Sequence, residues 1–176
     1  MRIEFLIFFI SSFGLADALE LKELDFSPNL KVEAFTSVNN GKFKTPSGSI
    51  LILTREKFSE QDAKKLLKNK LAQLKMLFEP RSAPYPGMVT TDQTCRKTAR
   101  FPAKIEESSN SLFWYAELPA SEDFTFASCG SRKDIYQSQY LVIYCKSSQQ
   151  LYDVRYFVPL GQNEFILGQS LAKCKK

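Results

Sequence analysis

The stretch from Ser49 to Phe78 constrains this chain most. Ile50, Leu51, Ile52 and Leu53 form an unbroken apolar run, long enough for a buried strand and too short for a helix. Ser59 then offers a hydroxyl as a helix N-cap, and Asp62 three residues on completes a capping box. Ala63, Leu66, Leu67, Leu71, Leu74, Leu77 and Phe78 recur at three- and four-residue steps, which puts them on one face of a helix that Pro80 ends. An apolar stripe of that length needs a sheet to receive it.

The first residues read as a leader. Arg2 gives a positive start, Phe5 to Leu15 is an apolar core, and Ala16-Asp17-Ala18 fits a small-x-small cleavage pattern. Residues 1–18 are therefore expected to be a signal peptide, leaving residues 19–176 as a single domain. A short buried helix is the competing reading. The run is too short for a stable membrane span. A domain of this size can bury about 70% of its unfolded surface. The formal charge of +5 permits contact with an anionic surface without requiring it.

Cys95, Cys129, Cys145 and Cys174 all follow the leader. An even number in an exported chain points to two disulfides. Three pairings exist, and neighbours in sequence favour Cys95–Cys129 with Cys145–Cys174. A zinc site is excluded by its chemistry, since the chain has no histidine and no Cys-x-x-Cys pair. The same missing pair argues against a thioredoxin-like redox centre. No cofactor is implied.

Along the chain, Leu30, Val32 and Ala34 alternate with Lys31 and Glu33 like a half-buried strand. Asn39-Asn40-Gly41 is a turn, and Lys42–Lys44 pairs back. Pro80, Pro84 and Pro86 make 79–94 a loop, on which Tyr85 is a candidate recognition residue or a packing residue. Thr98–Ala103 reads as an edge strand, Glu106–Asn110 as a polar turn, and Leu112–Ala116 as a strand covered on both faces, broken by Pro119. Gln139–Cys145 and Leu151–Val158 form an antiparallel pair around Ser147-Ser148-Gln149. Tyr152, Val154, Tyr156 and Val158 share one face, with Asp153, Arg155 and Phe157 on the other. Gln162–Lys173 is expected to close the fold as a helix. The class is α+β, an antiparallel sheet flanked by one long amphipathic helix and a C-terminal helix and stapled by two disulfides.

This order resembles the PsbP/Mog1-like α/β/α sandwich family. The resemblance rests on the strand 49–54 running into the helix 59–78, on the hairpin of Tyr140–Tyr144 with Leu151–Phe157, and on the segment Phe165–Leu171. It implies a non-enzymatic binding or assembly role and carries no catalytic set to this chain.

The residues agree with that role. Without histidine, Ser-His and Cys-His nucleophile systems are excluded. Glu106-Glu107 and Glu122-Asp123 are adjacent acids that point apart and read as solvated charges. A Ser–Lys pair stays open, because serines and lysines are abundant and need only meet in space, but nothing in their spacing is read as favouring it. Lys64, Lys68 and Lys75 form a basic stripe on the helix, flanked by Lys65 and Lys70. It is either a solvated face or a contact for an anionic partner. Trp114 and Tyr144 either pack the core or line a pocket between helix and sheet. The expected function is that of an exported, periplasmic or extracellular binding domain acting on a protein or cell-envelope partner. The alternative is a carrier of a small apolar ligand. Nucleic acid is not an expected partner, since the aromatic residues sit apart from the basic ones.

Overall fold

The computed structural model describes residues 21–39, 41–78, 100, 102–120, 136–159 and 170–175. The leader, Tyr85, Cys95, Cys129, Glu122-Asp123 and the first part of the expected terminal helix, 162–169, lie outside the described residues.

The elements run β1 (Leu24–Phe26), β2 (Thr36–Asn39), β3 (Lys42–Lys44), β4 (Ile50–Lys57), α1 (Glu60–Phe78), β5 (Glu106–Glu107), β6 (Ser111–Ala120), β7 (Tyr136–Cys145), β8 (Gln150–Pro159) and β9 (Ala172–Cys174). Seven strands make one antiparallel sheet in the order β2-β3-β4-β8-β7-β6-β5, and β1 pairs with β9 in a separate two-stranded ribbon. The class is α+β.

The strand–helix unit forms as its residues dictate. Asp62 N–H donates to Ser59 Oγ at 3.2 Å, and Ser59 Oγ–H donates to the Asp62 carboxylate at 2.7 Å. This satisfies donors that a helix start otherwise leaves orphaned. Ala63, Leu67, Leu71 and Leu74 are buried against the sheet, where Leu112, Trp114, Ala116, Leu118, Tyr140, Val142 and Tyr144 receive them. Each leucine so buried contributes about 2 kcal/mol of transfer free energy.

β4 extends beyond its apolar run, because β8 offers it a full ladder from Ile50 opposite Phe157 to Lys57 opposite Gln150. The hairpin β7–β8 pairs ten residues with ten, and Gln149 takes a positive φ of 54° in its turn. The alternation along β8 is as expected, with Tyr152, Val154, Tyr156 and Val158 on the face away from the helix.

Four details differ from the sequence expectation. Val32–Ala34 is a 3-10 turn and the strand begins at Thr36, because Leu30 N–H bonds Ser27 O and Ala34 N–H bonds Lys31 O. Local bonds there replace a ladder, while Leu30 and Val32 still reach the core. Pro119 does not end β6. Glu117 N–H points to Arg100 O, away from β7, and the imide nitrogen two residues on faces the same way, so no ladder bond is lost. Glu106 and Glu107 are not turn residues but strand β5, opposite Phe113 and Leu112. Finally, Ala172–Cys174 is extended and paired with β1, so the chain is not helical up to Lys173.

Cys145 and Cys174 form a disulfide with a Cα–Cα separation of 5.6 Å. It joins the end of β7 to β9 and so holds the ribbon over the sheet. No helix among the described residues is long and apolar enough to cross a membrane. Replacing both cysteines (Cys145→Ala with Cys174→Ala) is expected to lower stability in urea titrations by about 3 kcal/mol. Amide exchange should then accelerate in β9 far more than in β7. Equal protection of β9 in both proteins would show that the bridge does not hold the ribbon.

Candidate functional site

Among the described residues, three places gather polar or accessible side chains: the seam between α1 and the sheet, the start of α1, and the opposite face beside the ribbon. In the seam, Asp153 on β8 is only 7% exposed. It accepts from Tyr140 Oη–H at 2.7 Å, from Lys70 Nζ at 2.5 Å and from Arg155 Nε–H at 3.0 Å. The Arg155 guanidinium also lies 5.0 Å from the centroid of the Tyr140 ring. Burial, with the Asp153 charge and hydrogen bond behind it, pushes the Tyr140 phenol well above its ordinary value. Lys70 therefore leaves the basic stripe and serves the sheet.

Trp114 lies next to this cluster. It has no exposed surface, donates its indole N–H to Leu67 O at 3.1 Å, and meets the Tyr140 ring edge-on at 5.0 Å between centroids. Tyr144 is buried as well, and its hydroxyl donates to Phe58 O at 3.2 Å. Both expected pocket residues are thus packed, with their polar atoms satisfied.

At the start of α1, Glu107 meets Lys146 at 2.9 Å and Lys64 at 3.3 Å. The hydrogen bonds from Lys146 and then Lys64 hold the Glu107 carboxyl below its ordinary value. Lys75 donates to Ala103 O at 3.2 Å. Lys68 is exposed on the helix. The basic stripe is therefore dispersed: Lys64 and Lys75 are drawn to neighbouring segments and Lys68 faces solvent.

The opposite face carries a groove of about 680 Å³. Its floor is Phe113 on β6 and Ile143 on β7, which stand directly opposite each other in the ladder. One wall is β9 with Ala172, Cys174 and Lys173, followed by Lys175. The other is the turn Ser108–Ser111, which the hairpin β5–β6 creates. The hydroxyls of that turn bond within it: Ser108 Oγ lies 2.8 Å from Ser111 Oγ and 2.9 Å from Asn110 Oδ1. Ser170 Oγ–H donates to Ala172 O at 2.9 Å. The groove thus offers an apolar floor, walls whose small polar groups are already engaged, and two lysines against Asp25 on β1.

Sequence reading alone missed this site. Phe113 and Ile143 read as ordinary strand residues, and their meeting depends on the β6–β7 register. Sequence reading also passed over the spacing Ser170-x-x-Lys173, a signal for a Ser–Lys pair. Both residues line the groove, but the Ser170 hydroxyl is given to Ala172 O at 2.9 Å. No group of three or more metal-ligating side chains forms among the described residues. No protein-family model matches the chain, and no curated protein matches it.

Tyr140→Phe is expected to cost about 2 kcal/mol, since it removes a hydrogen bond to a buried carboxylate. Because the folded state holds the Tyr140 proton more tightly than the unfolded chain, this contribution is complete below pH 10.0 and is lost as pH rises above it. Stability curves for the two proteins should therefore converge on the alkaline side. A constant gap there would contradict the placement of the phenol.

Proposed function

We propose that this chain is an exported, non-catalytic binding domain that acts on a protein or cell-envelope partner through the face carrying the groove. One observation carries the reading. Among the described residues, the polar side chains buried in the helix–sheet seam are committed to the fold, whereas the opposite face keeps an open apolar concavity between Phe113, Ile143 and β9. Structural commitment of Asp153 and Tyr140 leaves them without the reach to a substrate that acid–base chemistry needs. The Cys145–Cys174 bridge agrees with an oxidising compartment, and the leader-like start of the sequence agrees with export. The resemblance to PsbP/Mog1-like proteins points to the same kind of role.

A second reading, a carrier of a small apolar ligand, is favoured by the groove itself. Its volume falls within the range of about 300–1,000 Å³ typical of ligand sites, and its floor is apolar. On this reading the ligand lies beside the ribbon instead of beneath the helix.

Site-directed photocrosslinking of the full chain in exporting cells tests the choice of face. A benzophenone side chain placed at Ser108, beside the groove, should give a discrete adduct, and the same group at Lys68 should give none. Adducts confined to the Lys68 position would move the binding face to the helix and overturn the proposal.

A further inference from the structure

We propose that the groove beside β9 binds a long-chain anionic amphiphile of the fatty-acid type, with its tail over Phe113 and Ile143 and its carboxylate at Lys173 and Lys175. The inference rests on the carrier reading above and names the chemistry that the groove selects.

Three observations lead there. The floor is an aromatic ring beside a branched aliphatic chain. Phe113 is only half-buried, although the residues on either side of it, Leu112 and Trp114, are fully buried. An apolar tail laid on this floor would remove the exposed ring surface from water, at roughly 25 cal/mol per Å². Next, the wall hydroxyls of Ser108, Ser111 and Ser170 and the side-chain carbonyl of Asn110 are bonded with each other or with backbone. A sugar or a peptide would need those groups; an alkyl chain does not. Last, the charges are asymmetric. Lys173 stands opposite Asp25 in the β1–β9 ladder, which offsets part of its charge, and Lys175 follows on the same side of the groove. Both lysines are exposed at the end of a strand that the Cys145–Cys174 bridge holds in place. The groove therefore presents net positive charge at one wall and an apolar floor, which complements a negative head group on an apolar tail.

The test uses the full chain, with cis-parinaric acid and its methyl ester as probes. Trp114, the single tryptophan, lies next to Phe113 in the chain and reports a polyene tail on that floor by energy transfer. The acid is expected to bind with saturable energy transfer and 1:1 stoichiometry by native mass spectrometry. The ester should bind roughly fivefold more weakly, as two exposed charge contacts imply. The double variant Lys173→Glu with Lys175→Glu should weaken the acid by a similar factor and leave the ester unchanged. Phe113→Ser should weaken both. Circular dichroism verifies that each variant is folded. Equal binding of acid and ester, or an acid affinity untouched by the lysine changes, overturns the anionic assignment and leaves the carrier reading standing. Failure of both probes to bind overturns the two together.

Discussion

A single carboxylate sets how the helix lies on the sheet. Asp153 projects from β8 into the seam and takes hydrogen bonds from β7 through Tyr140, from its own strand through Arg155, and from α1 through Lys70. A buried carboxylate without partners costs several kcal/mol, so each competing docking of the helix that withdraws Lys70 is disfavoured. Turning α1 by one residue would move Lys70 off the acid and carry Leu67 out of the seam. The bond from the Trp114 indole to Leu67 O adds a second fixed point, one turn earlier on the helix. Dispersion and apolar burial supply the attraction, and these two polar contacts choose one arrangement among those that the leucine stripe alone would allow.

The consequence for function is a division between faces. Among the described residues the helix–sheet seam is packed, with Trp114, Tyr144 and Asp153 all buried. The other side is covered by shorter pieces: the ribbon β1–β9, a 3-10 turn and the side chains of Leu21, Leu30 and Phe35. Tyr152 Oη–H donates to Glu23 at 3.1 Å, and Arg55 pairs with the same carboxylate, so the first described segment is tied down near β4 and β8. Cover of this kind does not extend evenly over β6, and Phe113 and Tyr115 stay half-buried there. The groove is where this patchwork stops, between the bridge-anchored β9 and the Ser108–Ser111 turn.

Much of this architecture was legible in the residues. The strand 50–53, the capped helix, the hairpin of β7 with β8 and the two-faced pattern of β8 follow from local periodicity, and local periodicity is what a sequence displays. The disulfide Cys145–Cys174 followed from proximity in the chain. What was not legible is long-range. Lys70 reads as one more surface lysine, because its partner lies 83 residues away on another element. Trp114 and Tyr144 read as core with a pocket as the alternative, and the helix register is what packs them. The helical apolar pattern of Phe165, Ile166, Leu167 and Leu171 was expected to run on to Lys173, but at Ala172–Cys174 the bridge and the pairing with β1 outweigh local preference over so short a piece. The groove is the extreme case, since its floor, its walls and its charges come from four separate parts of the chain.

The closed seam is the claim on which the assignment of faces rests, and the chain carries its own probe. Acrylamide quenching of the Trp114 fluorescence in the folded protein measures access to that seam. The account predicts a blue-shifted emission and quenching close to that of a fully buried indole, rising only on denaturation. Emission and quenching near those of free tryptophan would mean that the seam is open to solvent. The binding face would then lie beneath the helix.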